Sequence, residues 1–356
     1  MAHILDIESY QNDLKYINTM NIDWNLMEDK TILVAGATGL IGSVLVDSIM
    51  YHNLNYGSNI CVLALSRNEE KIKKRFTKYL NYKTFKIINH DITKSLEIDD
   101  KIDYIIDCAS NADPKLFTEQ PVDTILTNIL GAKNLLELCK NNFGCRFLYL
   151  SSGEIYGQAI ANLESFPEDY HGYIDILKFR SCYPMSKRAT ENLCISYKKQ
   201  YDIDVVIARP CHIYGATLLE NDQKVHSYFF RAALNNEDII LKSAGLQKRS
   251  YCNVIDTVSA LIIILMKGEN GEAYNIANPN SVITIYDLAH LVAKMGNIEV
   301  RSCTATEQEK QIFNPMLMSV LDSSKLLKLG WKAKYSITEG VQQTLKILKE
   351  MNYTEK

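Results

Sequence analysis

Between residues 31 and 50 the chain carries a pattern that few folds accommodate. An apolar run over 32–35 is followed by glycines at 36, 39 and 42, and then by an apolar-faced helical stretch over 43–50. The run reads as a buried parallel strand, and the glycines as the turn into a helix. Glycine lets a backbone turn tightly and approach a pyrophosphate, while a helix N-terminus offers free N–H groups and a partial positive charge. Gly36, Thr38, Gly39, Leu40, Ile41 and Gly42 are therefore candidate dinucleotide contacts. Such a turn can also be only a turn, so the rest of the chain must agree with it.

It does so by alternation. Further strands are expected over 60–65, 85–88, 102–108, 146–150 and 205–208, with long helices over 121–139 and 183–201. Strands alternating with helices predict an α/β fold, a doubly wound parallel sheet of Rossmann type, whose ligands lie beyond the carboxyl ends of the strands. The turns at Gly36, Ser110, Ser152 and Pro210 share that edge. The second strand ends in Ser66-Arg67, a hydroxyl and a guanidinium where an acid would hold the adenosine ribose. That suits a 2′-phosphate, although an arginine stacked on adenine or simply solvated reads as well, so NAD and NADP both stay open. Asp91, ahead of Ile92, is placed either to accept from the adenine amino group or to cap its turn. Ala109 and Ser110 are small enough for a ligand to come close.

Residues 1–29 repeat apolar side chains at helical spacing (Ile4, Ile7, Tyr10, Leu14, Ile17) and predict an amphipathic helix packed on the surface. The last third is mixed, with helices expected over 228–234 and from 253, and a late strand over 273–276. The division expected is a helical extension over 1–29, a dinucleotide-binding domain over 30–208 with a returning segment at about 250–280, and a smaller mixed α/β part over 209–249 and 281–356.

Composition removes several function classes. Hydrophobic residues make up 47%, enough for a large core, and 39 Lys+Arg against 42 Asp+Glu leaves a net charge of −3. Nothing there favours nucleic acid or a polybasic membrane anchor. The 9 cysteines include no C-x-x-C pair and read as reduced thiols in a cytoplasm, with no metal site. No secretory signal is visible, and the apolar run near 260–266 is too short to span a bilayer.

Tyr183 and Lys187 stand four apart on a helix and so share a face. A phenol has a pKa of about 10 and is a poor base at neutral pH. A neighbouring ammonium would lower it toward operating pH. Tyr183 is then able to take a proton from a sugar hydroxyl while the carbon gives up hydride, with Ser152 bonded to the same hydroxyl. Alone, such a pair is usually a solvated helix face. Cys211 and His212 follow Pro210 at the ligand edge, and His212 is a candidate substrate contact. Packing is the preferred reading, because the two lack a third group to orient them.

Gly36-x-x-Gly39-x-x-Gly42, Ser152 and Tyr183-x-x-x-Lys187, in that order, resemble the extended short-chain dehydrogenase/reductase family. Asp322-Ser-Ser-Lys325 with Leu329-Gly330-Trp331 is similar to the C-terminal signature of its sugar-nucleotide members. The resemblance implies that 30–208 is a Rossmann domain with tightly bound, internally recycled NAD or NADP, and that the smaller part is a sugar-nucleotide-binding domain. It also implies a nucleoside-diphosphate sugar as substrate, and a homodimer through the helices near 121–140 and 184–201. It makes Asn128 the helix asparagine that supports a proton relay. Several stretches look like UDP-glucuronate decarboxylases: Ala109-Ser110 with Pro114, the run 151–157, Tyr170-His-Gly172 ahead of Arg180-Ser-Cys182-Tyr183, Asn221-Asp222 with Lys224-Val225, and Gln247-Lys248-Arg249. Those enzymes oxidise the sugar at C4, release the C5 carboxylate as CO2 and reduce the sugar again. The resemblance makes Glu154 the group acting at C5, and Arg180, Lys224, Val225 and Arg249 substrate contacts. Three positions depart from the pattern: Gly153 where a hydroxyl residue is usual, Lys224 where arginine is, and Ser66-Arg67 in place of the acid. A 4,6-dehydratase and a 4-epimerase are the rival enzymes, and a non-catalytic nucleotide sensor is the rival outside catalysis.

Overall fold

The computed structural model describes residues 2–219, 222–306, 313 and 316–351, so Asn221 of the substrate motif lies outside the described residues. Six strands, β1 (Thr31–Ala35), β2 (Cys61–Ser66), β3 (Phe85–Asn89), β4 (Tyr104–Asp107), β5 (Arg146–Leu150) and β6 (Asp204–Pro210), join a later one, Ala273–Ile276. They form a 7-stranded sheet in the order Ala273–Ile276, β6, β5, β4, β1, β2, β3. All neighbours are parallel.

The strands are apolar on both sides because both sides are covered. Leu33, Leu63 and Leu65 enter the core on one face, and Ile32, Val34, Val62 and Ala64 the core on the other. The helices are α1 (Glu8–Thr19), α2 (Leu40–Tyr56), α3 (Glu69–Arg75), α4 (Pro114–Glu119), α5 (Pro121–Asn141), α6 (Cys182–Tyr201), α7 (Val225–Asn235) and α8 (Val254–Lys267). Strand order reverses beside β1, between β2 and β4, and opens a crevice there at the carboxyl edge.

A smaller sheet is centred on Lys248–Asn253, which pairs with Val282–Thr284, His212–Tyr214 and Met318–Ser319. It sets His212 opposite Tyr251, two residues from Arg249. The strands start and end within two residues of expectation, while α2 begins three residues early and runs six further, to Tyr56. Helix α2 starts at Leu40 because Gly39 is already its N-cap, and α7 starts at Val225.

The N-terminal helix is amphipathic, as expected, and packs more deeply than its periodicity shows. Helix α1 keeps Glu8, Asn12, Lys15 and Thr19 exposed, while Tyr10, Leu14 and Ile17 are buried in the main core, against α2, α8 and the closing helix Ile337–Glu350. Part of its polar side is occupied too. Tyr10 donates to Asp47 at 2.6 Å, and Asp13 takes Lys334 Nζ at 2.8 Å and Gln343 Nε2 at 3.0 Å. No helix among the described residues is long and apolar enough to cross a membrane, and no group of acidic, histidine and cysteine side chains there is set to hold a metal.

Candidate active site

The glycine turn has the form a dinucleotide requires. Gly36 has φ +72°, and a Cβ there would lie 2.8 Å from Ala109 Cα, so only glycine lets β1 turn this close to the end of β4. A Cβ on Gly42 would sit 2.4 Å from the Gly36 carbonyl oxygen. Gly39 caps α2 without a side-chain bond, leaving the first N–H groups of Leu40, Ile41 and Gly42 facing the crevice edge. Such a cradle suits a pyrophosphate by charge.

The adenosine end is less crowded. Ser66 Oγ lies 3.3 Å from Thr38 Oγ1, while Arg67 is exposed. Asp91 follows the capping alternative: its Oδ1 accepts from Thr93 N at 3.0 Å and Thr93 Oγ1 at 2.9 Å, and the first of these bonds holds the carboxyl below its usual range. Ile92 is buried against Gly131, where even a Cβ would come within 2.4 Å of it.

At the centre of the edge, Tyr183 and Lys187 occupy the first turns of α6. Tyr183 is buried, stacked on Phe117 at 4.6 Å between ring centroids, and hydrogen-bonded to Ser152. Burial raises its phenol above the ordinary value, and the Ser152 bond pulls the other way. The Lys187 ammonium stands 5.9 Å from the Tyr183 ring centroid and donates to the Leu150 carbonyl at 2.7 Å. Burial brings it down to about 8, opposed by the carboxylate of Asp107. The expected lowering of the phenol by the lysine is not seen in this arrangement: burial dominates, and the groups opposing it are Ser152 and Arg180. Asn128 is fixed at both ends: Ser110 Oγ donates to it at 2.8 Å, and it donates to Ser186 Oγ at 2.8 Å. Ser186 in turn donates to the Tyr183 carbonyl at 2.9 Å, which ties α5 to the turn carrying the phenol.

Beside the phenol lies a charged cluster drawn from three parts of the chain. Glu154, in the helical turn after β5, accepts both arms of Arg180 at 2.9 and 3.1 Å. Arg249, on the small sheet, donates to His212 Nε2 at 2.7 Å and feels the opposite charge of Glu154 and the like charge of Arg180. Burial, then Arg249, push His212 well below its ordinary value, so its imidazole is a neutral acceptor. Buried Arg249 Nε has no hydrogen-bond partner among the described residues, so one donor of this cluster is left unsatisfied. Lys224 caps α7, pairs with Asp222 at 3.2 Å, and reaches this cluster only through its field at His212. Val225 opens α7, half-buried. Pro210 ends β6, and Gly153 packs tightly, with a Cβ there 3.1 Å from Leu321 Cδ1 and 3.3 Å from the Pro210 oxygen.

Sequence reasoning missed Phe117, which covers the phenol, and the Leu150 carbonyl, which anchors the lysine. Neither carries a motif. Phe117 is one aromatic residue in a helix of 6 residues, and a carbonyl has no sequence signal.

Comparison with known proteins agrees with this geometry. The model of the NAD dependent epimerase/dehydratase family matches residues 32–277. UDP-glucuronic acid decarboxylase 3 of Arabidopsis thaliana is 34% identical over 313 residues, covering 87% of this chain and 86% of the relative. UDP-glucuronic acid decarboxylase 1 of Danio rerio is 31% identical over 318 residues, covering 89% and 72%. Among solved structures, a UDP-glucuronic acid 4-epimerase from Bacillus cereus, in complex with UDP-glucuronic acid and NAD, shares the fold with a TM-score of 0.75 at 21% identity, over 90% of this chain and 99% of that one. A dTDP-glucose 4,6-dehydratase from Streptomyces venezuelae does so with a TM-score of 0.76 at 20% identity, over 90% and 97%. With its glycine cradle, its Ser-Tyr-Lys edge and these relatives, the chain belongs to the NAD dependent epimerase/dehydratase family, as an enzyme of the extended short-chain dehydrogenase/reductase type.

Proposed function

We propose that this enzyme passes the sugar of a nucleoside-diphosphate sugar through a 4-keto intermediate, and that its substrate is UDP-glucuronate, decarboxylated at C5. The observation that carries the reading is the joining of Ser152–Tyr183, next to Lys187, with the Glu154–Arg180–Arg249 cluster. The first group serves oxidation at C4, and the second offers arginines to an anionic substituent next to it. The glycine turn and the Tyr183–Lys187 edge would hold a nicotinamide dinucleotide, which when bound would supply the hydride exchange at C4. Tyr183 Oη takes the C4 hydroxyl proton and later gives it back, and Ser152 Oγ fixes that hydroxyl. Lys187, held on Leu150, supplies positive charge beneath the phenol. The 4-keto group lets C5 lose its carboxylate as CO2, because the electron pair left behind is delocalised into the carbonyl. Arg249 holds the anionic group before it leaves, and Glu154, kept in place by Arg180, manages the proton that returns to C5.

Two further features support the reading. Gly153 offers no side chain to protonate a departing C6 hydroxyl, and its neighbours would have to shift to admit one, which disfavours dehydration. Helix α5 exposes Val122, Ile125, Leu126 and Leu130 along one stripe, the face through which we place a homodimer. The cysteines, all free, suit a reducing cytoplasm.

Mass spectrometry of products from a panel of nucleotide sugars tests the assignment. UDP-glucuronate should yield CO2 and a UDP-pentose with no net consumption of dinucleotide. Loss of water from a neutral hexose nucleotide, or plain C4 inversion, would replace decarboxylation with one of its rivals.

A further inference from the structure

Close to the lysine lies a carboxylate that no motif marks. Asp107 ends β4 and is 2% exposed, as is Lys187 on α6. Parallel pairing sets Asp107 opposite Tyr149 on β5. Alternation along the strands puts both side chains on the sheet face of Ile105 and Phe147, the face that α6 covers with Cys194 and Tyr197. Lys187 Nζ stands 4.7 Å from the Tyr149 ring centroid and donates to the carbonyl of the next residue, Leu150, at 2.7 Å. Asp107 Oδ1 accepts from Ala109 N at 3.1 Å, which fixes the carboxylate where β4 gives way to Ser110.

The other ionisable groups around the ammonium are neutral or engaged. Burial pushes up the thiols of Cys108 and Cys194 and the phenols of Tyr149 and Tyr183, so none of them is charged at rest near neutral pH. Glu191, one turn along α6, accepts from Arg209 Nε at 3.0 Å and from its Nη2 at 2.7 Å. Among the described residues this leaves Asp107 as the counter-charge, and it is the largest influence opposing burial at Lys187. We propose that Asp107 is a positioning residue for the lysine: its carboxylate keeps Lys187 charged and seated on Leu150, and so sets how far into alkaline pH the oxidation at C4 persists. The role rests on the reading above, in which that charge serves the phenol. An ammonium alone in an apolar layer sheds its proton, because burial penalises its charged form, and a carboxylate in the same layer restores it.

Asp107→Asn keeps the shape and an oxygen for Ala109 N, and removes only the charge. Carbon NMR of the protein labelled at lysine Cε, with the Lys187 signal identified by its loss in Lys187→Arg, follows the titration directly and needs no substrate. In Asp107→Asn that titration should fall by about one pH unit or more, the effect of losing one close opposite charge. With UDP-glucuronate, the alkaline limb of kcat should move down in pH by a similar amount, because the amine now loses its proton sooner as pH rises. KM should change little, and lowering the pH should restore the wild-type rate. A Lys187 titration that stays in place, or a rate loss equal at every pH, overturns the proposal. A titration that falls in a protein whose wild type leaves UDP-glucuronate unchanged would uphold Asp107 and remove the substrate assignment instead.

Discussion

Tyr183 and Lys187 sit one helical turn apart but answer to different neighbours. The phenol is enclosed by Phe117 and Ser152, and the ammonium is drawn to the Leu150 carbonyl. Burial disfavours the charged form of each, so it raises the phenol and lowers the amine to about 8. Tyr183→Phe isolates the hydroxyl, because phenylalanine keeps the stack on Phe117. The variant should lose kcat by about 10²–10⁴-fold, the usual worth of a positioned acid–base group. It should still retain its dinucleotide, measured by mass spectrometry of the denatured protein. A variant with full activity would remove the phenol from the mechanism. The pair itself was legible in the chain, since spacing of four puts two side chains on one helix face. Beyond Ser152, what each would contact was not, because Phe117 arrives from α4 and the acceptor of the lysine is a backbone carbonyl.

Among the elements, the strands of the central sheet were the most legible, because a strand covered on both faces must be apolar throughout. The glycine turn was equally clear, since each requirement of Gly36 and Gly42 is steric. Helix α1 was legible only by half. Its period of apolar side chains shows that one face is covered. It does not show that Asp13 and Ser9, on the polar face, also meet partners, from residues 334 to 350. Burial of Leu14 at 0% exposure makes the helix part of the main core. Leu14→Ala should therefore cost about 2–5 kcal/mol of stability, read from urea unfolding. A cost below about 0.5 kcal/mol, typical of surface positions, would return the helix to the periphery. The short strand carrying Arg249 was not read as a strand, since its six residues Lys248–Asn253 mix charged and small polar side chains. It is buried because three neighbouring strands cover it, and only the assembled sheet shows that.

For the whole molecule, the dimer proposed through α5 can be tested at its apolar stripe, where Leu126 and Leu130 are 42% and 39% exposed. Leu126→Glu with Leu130→Glu should lower the mass measured by light scattering from a dimer to the 40.5 kDa of one chain. A wild-type protein already at that mass would show the stripe to be unpaired. The placement of α1 has a different consequence, one that bears on how the chain is made. Asp13 bonds Lys334, 321 residues downstream, an interval a ribosome covers in roughly 15–65 s at common synthesis rates. During that time α1 can already dock its apolar face on α2, made within about the next 40 residues, but Asp13 stays without Lys334 and Gln343, so the helix is held by packing well before it is fastened by charge.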